Sequence, residues 1–279
     1  MSRMYGALLL AAFILLLEII PQPLDKVAVL DVGQGDAILL QSGTAQVLID
    51  GGQGRVVLER LAQEMPWFDR TIEVVMVTHP QRDHMEGLLH VLEAYDVGLV
   101  VLPDAAHSSQ LQEAWLTMIG ERGVAYRFAR AGQQLTVGDA ELTILNPLDS
   151  DEAMAATASD LNNASIVVKA SWPDLSFLLT GDAESRVERL LLTAWPGGEL
   201  QADILKVGHH GSKSSTSPEF LAAVQPSAAI VSAGLDNRFD HPHQEILDRL
   251  ASLPIWRTDR DGTVSIVRAG DDWLITGQK

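Results

Sequence analysis

The chain contains no cysteine. No disulfide and no thiolate zinc site is possible, and no redox compartment can be inferred. Any metal must be held by His, Asp, Glu or Asn. Positive charge is also scarce: 20 Lys and Arg stand against 37 Asp and Glu, a formal net charge of −17. A protein that holds nucleic acid on a basic face carries far more. If DNA or RNA is the substrate, the positive charge must come from bound metal or from a small local patch. There is no Gly/Pro-rich or low-complexity stretch long enough to be a linker, and no internal repeat. With 279 residues, 47% of them hydrophobic, one compact domain behind an N-terminal segment is the simplest organisation.

That segment, "MSRMYGALLLAAFILLLEIIPQP", has one early cation, Arg3, and an apolar run from about Met4 to Ile20 broken only by Glu18. Its length is at the lower limit for a membrane span of roughly 20 residues. No small-x-small cleavage site follows it. Residues 1–23 are read as a membrane anchor, with a signal peptide or the last helix of a truncated membrane domain as alternatives. With Arg3 held inside, the rest of the chain lies outside the cytoplasm.

From Leu24 onward, short apolar runs alternate with Gly-rich turns and helical patterns. Val27–Val29, Ala37–Leu40 and Val47–Ile49 read as an opening set of strands. Val56–Glu64 reads as a helix, "IEVVMVTH" as a strand, Met85–Tyr95 as a helix and "VGLVVL" as a strand. The second half repeats this grammar. Strands are expected at "ELTILNP", "SIVVKA", "SFLLTGD", "ADILKVGHHG", "AAIVSAG" and "GTVSIVRAG", and helices at Ser185–Leu192, Pro218–Val224 and Gln244–Ala251. This is an α/β pattern of sheets covered by helices.

Candidate ligands follow the apolar strands. His79, Asp83 and His84 lie in "THPQRDHMEG", in a loop between strand and helix, with Gln81 where a charged or imidazole ligand would be expected. Asp182 follows "FLLTG", where it can cap a helix near Ala183 or bridge two ions. His209 and His210 follow "ILKVG"; one can bind metal while the other meets an anion. Ser212, Lys213, Ser214 and Ser215 can donate hydrogen bonds to phosphate oxygens, although "GSKSST" lacks the spacing of a P-loop. Asn237, His241 and His243 in "SAGLDNRFDHPH" can contact substrate or supply a proton, and a turn explains them equally well. Asn162, Asn163 and Ser165 in "SDLNNASIVV" fit a turn before a strand. Several strands aiming His and Asp at one edge is what a metal site requires, since no single run closes four ligands around an ion.

In order and placement, "LDVGQGDAILLQSG", "LIDGG", "THPQRDHMEG", "LNNASIVV", "LLTGDAE", "LKVGHHGSKSSTSPEF", "SAGLDNRFDHPH" and "RTDRDGTVSI" resemble the metallo-β-lactamase superfamily. Within it, the chain is most similar to the C-terminal hydrolase domain of ComEC-type DNA-uptake (competence) proteins. The resemblance runs from about Leu24 to the C-terminus. It implies a four-layer αββα sandwich over residues 24–279, preceded by one hydrophobic helix, with the site on one edge.

The family motif H-x-[HD]-x-D-H corresponds to His79, Gln81, Asp83 and His84 here, so Gln81 is a departure. The resemblance assigns His79, Gln81 and Asn162 or Asn163 to a first metal. It assigns Asp83, His84 and one of His209 and His210 to a second, with Asp182 bridging. The second site is complete; the first, built largely of neutral amides, is weak. Mn²⁺ or Zn²⁺ is the implied cofactor, with one ion held firmly and the second weakly. The implied chemistry is metal-assisted hydrolysis. Asp83 or Asp182 would orient or accept a proton, and His210, Lys213 or His241 would steady developing negative charge. The implied substrate is a phosphodiester in DNA, with degradation of the strand that is not imported and with a separate uptake channel as partner. A hydrolase of another phosphate or lipid substrate, and a non-catalytic binding relative, are the competing readings.

Overall fold

The structure, a computed structural model, describes residues 25–104 and 109–279. The expected anchor over 1–23 lies outside the described residues. Among the described residues, no helix is long and apolar enough to cross a membrane.

The chain opens as an antiparallel meander of β1 (Lys26–Val29), β2 (Ile38–Ser42) and β3 (Ala45–Ile49). Helices α1 (Val56–Glu64), α2 (Arg82–Ala94) and α3 (Gln110–Arg122) then connect β3 to three further parallel strands, β4 (Thr71–Met76), β5 (Asp96–Leu102) and β6 (Ala125–Phe128). The C-terminal hairpin β14 (Val264–Ala269) and β15 (Asp272–Gly277) joins the far side of β1. The first sheet therefore has the order β15-β14-β1-β2-β3-β4-β5-β6.

The second sheet begins with antiparallel β7 (Gln134–Val137), β8 (Ala140–Asn146), β9 (Val167–Ser171) and β10 (Ser176–Leu179). It continues in parallel through β11 (Ile204–Lys206), β12 (Ala228–Val231) and β13 (Ile255–Arg257). Helix α4 (Asp151–Ser159) and a 3₁₀ turn at Leu161–Ala164 lie between β8 and β9. Helices α5 (Ser185–Ala194), α6 (Pro218–Val224) and α7 (Gln244–Arg249) link the parallel strands, and α8 (Thr258–Asp261) leads into β14.

Period-2 alternation along the strands builds the layers. Val27 and Val29 face the second sheet, meeting Ile144, Val168, Phe177 and Ile204. Ala28, between them, faces the helices, in the layer of Leu61, Leu88, Val91 and Trp115. The outer face of the second sheet, with Leu178 and Leu205, packs on Val187, Leu191 and Phe220; Ala229 and Val231 pack on Ile246 and Leu250. The result is the expected four-layer αββα sandwich.

Helices α1 and α6 have the boundaries expected from sequence, and α7 stops two residues short of Ala251. Helix α2 differs in a way that matters: it starts at Arg82, not Met85. Asp83 and His84 are therefore in its first turn, not in a loop. Apolar periodicity begins only at Met85, but an aspartate at a helix start is favoured by the unpaired N–H groups there.

Helix α2 is seated by contacts that only glycine allows. A Cβ at Gly35 would lie 2.1 Å from the carbonyl oxygen of Asp83, and one at Gly87 would lie 1.9 Å from that of Gly51. Around these approaches, the N–H groups of Asp36 and Gly51 donate to the carbonyls of Asp83 and His84, and that of Gly87 to Gly52. The glycines of "DVGQGDA" and "LIDGG" thus clamp the ligand-bearing turn.

Candidate metal centre

The site lies on one edge, where the C-terminal ends of β3, β4, β10, β11 and β12 meet. Strand β4 delivers Thr78 and His79, the first turn of α2 delivers Asp83 and His84, and the turn after β10 delivers Asp182. His209 and His210 follow β11 in a 3₁₀ turn, both with left-handed backbone (φ of 47° and 54°). Two adjacent non-glycine residues in that region are strained, a feature that concentrates at functional sites. The cost is met by the turn's ties, including His209 N–H to the Gly181 carbonyl and Gly208 N–H to Thr216 Oγ1.

Three imidazoles and two carboxylates converge. His84 Nε2 and His210 Nε2 each lie 3.3 Å from Asp182 Oδ2, and His210 Nε2 lies 3.7 Å from Asp83 Oδ2. The His79 and His84 rings are 4.1 Å apart, centroid to centroid. Ligand atoms of His79, His84 and Asp182 fall within 4.8 Å of one another, as do those of Asp83, His84 and His210. His79 Nε2, His84 Nε2, His210 Nε2 and Asp182 Oδ1 are buried without a hydrogen-bond partner. Buried polar atoms are normally satisfied, so a convergent set of orphaned donor atoms fits a cation.

The outer nitrogens are all engaged. His84 Nδ1 is 2.7 Å from Asp50 Oδ2. Asp50 also accepts from Thr78 N–H and Thr78 Oγ1. His210 Nδ1 donates to the Ser232 carbonyl at 3.0 Å and lies 3.4 Å from Asp36 Oδ1. His79 Nδ1 lies 3.1 Å from Thr78 Oγ1. With Nδ1 committed, Nε2 is the nitrogen each ring aims into the cluster, the atom that would give its lone pair to a metal once its proton is displaced. Asp36 is itself ion-paired to Lys206, whose buried ammonium also donates to the Gly181 carbonyl at 2.9 Å and lies 3.9 Å from Asp182 Oδ1. Asp36, Asp50 and Lys206 stand directly behind the cluster and were not singled out from the sequence. For the two aspartates the available signal was a place next to glycine, in "GQGDA" and "LIDGG"; Lys206 carried none.

Electrostatics polarise the cluster. Burial opposes charge on His84 and His210, but Asp182 with Asp50, and Asp182 with Asp36, hold these two imidazoles protonated well above the usual range. Burial likewise opposes the Asp182 and Asp83 carboxylates. His210 and His84 nonetheless hold Asp182 well below its usual range and Asp83 at about 2. For Asp36, Lys206 and His210 overcome burial and keep the carboxylate ionised. His79 is different: burial, then the neighbouring His84, pushes it down to about 3.

His209 and His210 have separate places. The His210 ring is sealed inside the cluster, whereas His209 is 22% exposed, with Nε2 3.8 Å from Asp182 Oδ2 and Nδ1 3.5 Å from Glu184. On the side assigned to the first ion, Gln81 Nε2 donates to Asn162 Oδ1, and Asn162 Nδ2 lies against the His209 ring. Asn163 Oδ1 is buried and unpartnered, and its Nδ2 approaches Glu184.

The remaining candidates form a rim. His241 sits 5.5 Å from the His209 ring; burial and the surrounding histidines push it down to about 4, so it is neutral at pH 7. Ser214 Oγ reaches His209 Nδ1 and Ser212 Oγ. Ser215 is turned inward, its hydroxyl bonded to the Gly208 carbonyl. Lys213 is exposed, with its backbone N–H bonded to His243 Nδ1. Asn237 has both side-chain polar atoms engaged by its own loop, donating to the Gly234 and His241 carbonyls and accepting from Phe239 and His241 N–H. These bonds make Asn237 a loop organiser.

Comparison with known proteins places this geometry. The profile of the Metallo-beta-lactamase superfamily matches residues 30–235. ComE operon protein 3 of Bacillus subtilis is 32% identical over 259 residues, 86% of this chain and 32% of that protein. Competence protein ComA of Neisseria gonorrhoeae is 26% identical over 271 residues, 94% of this chain and 35% of that protein. The chain thus spans about a third of the length of these relatives. Among solved structures, the metallo-β-lactamase fold protein YhfI from Bacillus subtilis superposes with a TM-score of 0.57 at 14% identity, over 84% of this chain and 96% of that one.

Proposed function

This chain belongs to the metallo-β-lactamase superfamily, and from that premise we propose that it is a metal-dependent phosphodiesterase that cuts DNA during DNA uptake. The observation that carries the reading is the set of orphaned buried donor atoms on His79, His84, His210 and Asp182 at one sheet edge. Its competence-related relatives support the substrate.

His79, His84, His210, Asp83 and Asp182 would hold the ion or ions, with Mn²⁺ or Zn²⁺ as the candidates. A bound divalent ion supplies Lewis acidity and an acidified water. The chain's own groups do the rest. Asp50 and Asp36 fix the His84 and His210 rings. Asp83, ionised and 19% exposed, is placed to accept a proton from an attacking water. His209 and neutral His241 line the approach, where their N–H groups can donate to phosphate oxygens. With the formal charge at −17, attraction for a phosphodiester must be local, at the ion and this rim. The Gln81–Asn162 bond pairs two neutral amides with each other, which favours one firmly held ion over two. The reading also includes membrane attachment through residues 1–23, an extracytoplasmic hydrolase domain and a separate DNA channel as partner.

The test is the full chain in mild detergent, assayed on linear DNA with Mn²⁺, Zn²⁺ or chelator. Cleavage that needs the ion and is lost in Asp182→Ala is expected. An ion-loaded, folded protein that leaves DNA intact while hydrolysing another phosphoester would overturn the DNA assignment.

A further inference from the structure

Beside the metal cluster lies an open cavity of about 780 Å³ whose lining includes Gln34, Gln81, Arg82, Asp83, Arg238 and Phe239. Asp83 is thus shared between the candidate ion site and this cavity. The volume is that of a small-molecule site and exceeds what a phosphate needs. Its lining is rich in neutral amides; the Arg82 guanidinium there is paired with Glu86 at 2.8 Å, which leaves Arg238 as the lining cation without a carboxylate partner among the described residues.

Phe239 has no packing role that explains it. The residue is 44% exposed, and Leu235 in the same loop is 70% exposed. Exposed apolar groups grouped beside a catalytic cleft mark a contact surface. The ring is nevertheless held in place. Asn237 Oδ1 accepts from Phe239 N–H at 3.1 Å, and the His241 ring stacks against Phe239 with centroids 5.7 Å apart and planes 24° from parallel. The Arg238 guanidinium carbon lies 4.7 Å from the Phe239 centroid. No carboxylate among the described residues forms an ion pair with Arg238. His241, Phe239 and Arg238 therefore form a continuous run of flat groups from the rim of the metal cluster into the cavity.

We propose that Phe239 and Arg238 form a stacking platform for an unpaired nucleobase of single-stranded DNA, next to the phosphate presented to the metal cluster. This rests on the phosphodiesterase reading above and names its substrate as single-stranded. The π face of a base matches a phenyl or guanidinium plane irrespective of sequence, and Arg238 can meet the adjoining phosphate. A paired base is already stacked within its duplex and cannot enter. The platform supplies attraction that does not depend on a basic surface, which this acidic chain lacks.

The experiment uses the full chain in mild detergent with Mn²⁺. Binding is read by fluorescence anisotropy on two labelled single strands of equal length. Both carry hydrolysis-resistant phosphorothioate linkages; one bears thymine bases and the other is abasic throughout. Cleavage of an ordinary phosphodiester strand is measured alongside. Wild type should bind the base-bearing strand roughly tenfold more tightly than the abasic one, within the range that base–aromatic stacking contributes. Phe239→Ala should reduce that preference to about twofold or less, and Phe239→Trp should keep it. Phe239→Leu retains apolar bulk without a π face and should lose it like Ala; equal unfolding midpoints show that these variants are folded. If wild type cleaves DNA yet binds both strands equally, or if Phe239→Ala and Phe239→Leu keep the preference, the platform is overturned and the nuclease reading stands. If wild type neither binds nor cleaves DNA, both fall.

Discussion

Asp50 Oδ2 lies 2.7 Å from His84 Nδ1, and neither side chain reaches solvent. The aspartate directly follows β3 and the histidine lies in the first turn of α2, so one contact ties the sheet edge to the ligand-bearing helix. A carboxylate behind a ligating imidazole fixes its tautomer and its orientation. Asp50→Asn keeps the shape and removes the charge. Ion affinity should fall about 10- to 100-fold, the usual cost of losing such a partner. Titration calorimetry with Mn²⁺ checks this, with the thermal transition as the control for folding. Undiminished affinity would remove Asp50 from the site's machinery.

Ion binding should release protons. In the ion-free chain the carboxylates around His84 and His210 hold both imidazoles protonated well above 6.5, despite burial. An ion must displace those protons, so its apparent affinity should rise with pH through neutrality. His79, pushed down to about 3 first by burial, is already neutral and releases none. Calorimetry in buffers of different ionisation enthalpy counts the protons.

Stability of the ion-free protein follows the opposite sign. A histidine whose folded pKa is raised contributes stability that is complete below its unfolded value of 6.5 and is lost as pH rises through the folded pKa. Asp182, depressed below 3.8, contributes stability that is present above that value and lost as pH falls through its folded pKa. With chelator, Tm should therefore decline as pH climbs above 6.5, and saturating ion should flatten that decline. A chelated Tm that rises between pH 7 and 9 would contradict this account.

Gln81 is turned to Asn162, where a family carboxylate or imidazole would face an ion. Gln81→Asp should convert the weak first ion site into a measurable one, since a carboxylate adds charge that an amide lacks. Metal counting at saturating Mn²⁺ should rise by about one ion per chain. An unchanged count would place the limit elsewhere, with Asn162 and Asn163.

Gly87→Ala tests the clamp on the ligand-bearing turn. The new methyl would lie 1.9 Å from the Gly51 carbonyl oxygen, inside a backbone contact with no flexible atom to yield. Overpacking of this kind costs about 1–3 kcal/mol, and the shift of α2 should also weaken ion binding. Chemical denaturation and ion titration of the variant measure both effects; a neutral substitution would show that α2 is seated more loosely than this contact implies.

The sequence by itself determined an α/β chain of sheets covered by helices, because apolar runs punctuated by glycine carry strand identity locally; the four-layer αββα order came from the family resemblance and is decided by how the two sheets pack. His79, Asp83, His84 and Asp182 were legible as candidates because they follow apolar runs that read as strands, while each alone also fits a polar loop or a helix cap. It left open which of His209 and His210 enters the cluster, since neighbours in sequence carry no label for inside or outside. The left-handed turn decided that, burying His210 and leaving His209 at the rim. Asp36, Asp50 and Lys206 were invisible as a set because they lie far apart in the chain and become partners only when the loop before β2 and the ends of β3 and β11 meet at one edge. For Asn237 the sequence allows a substrate contact or a turn residue, and the fold engages both ends of its amide with backbone partners in its own loop. Ligand types follow from local pattern; which atom faces the ion, and what stands behind it, follows from long-range packing, which no short stretch of sequence encodes.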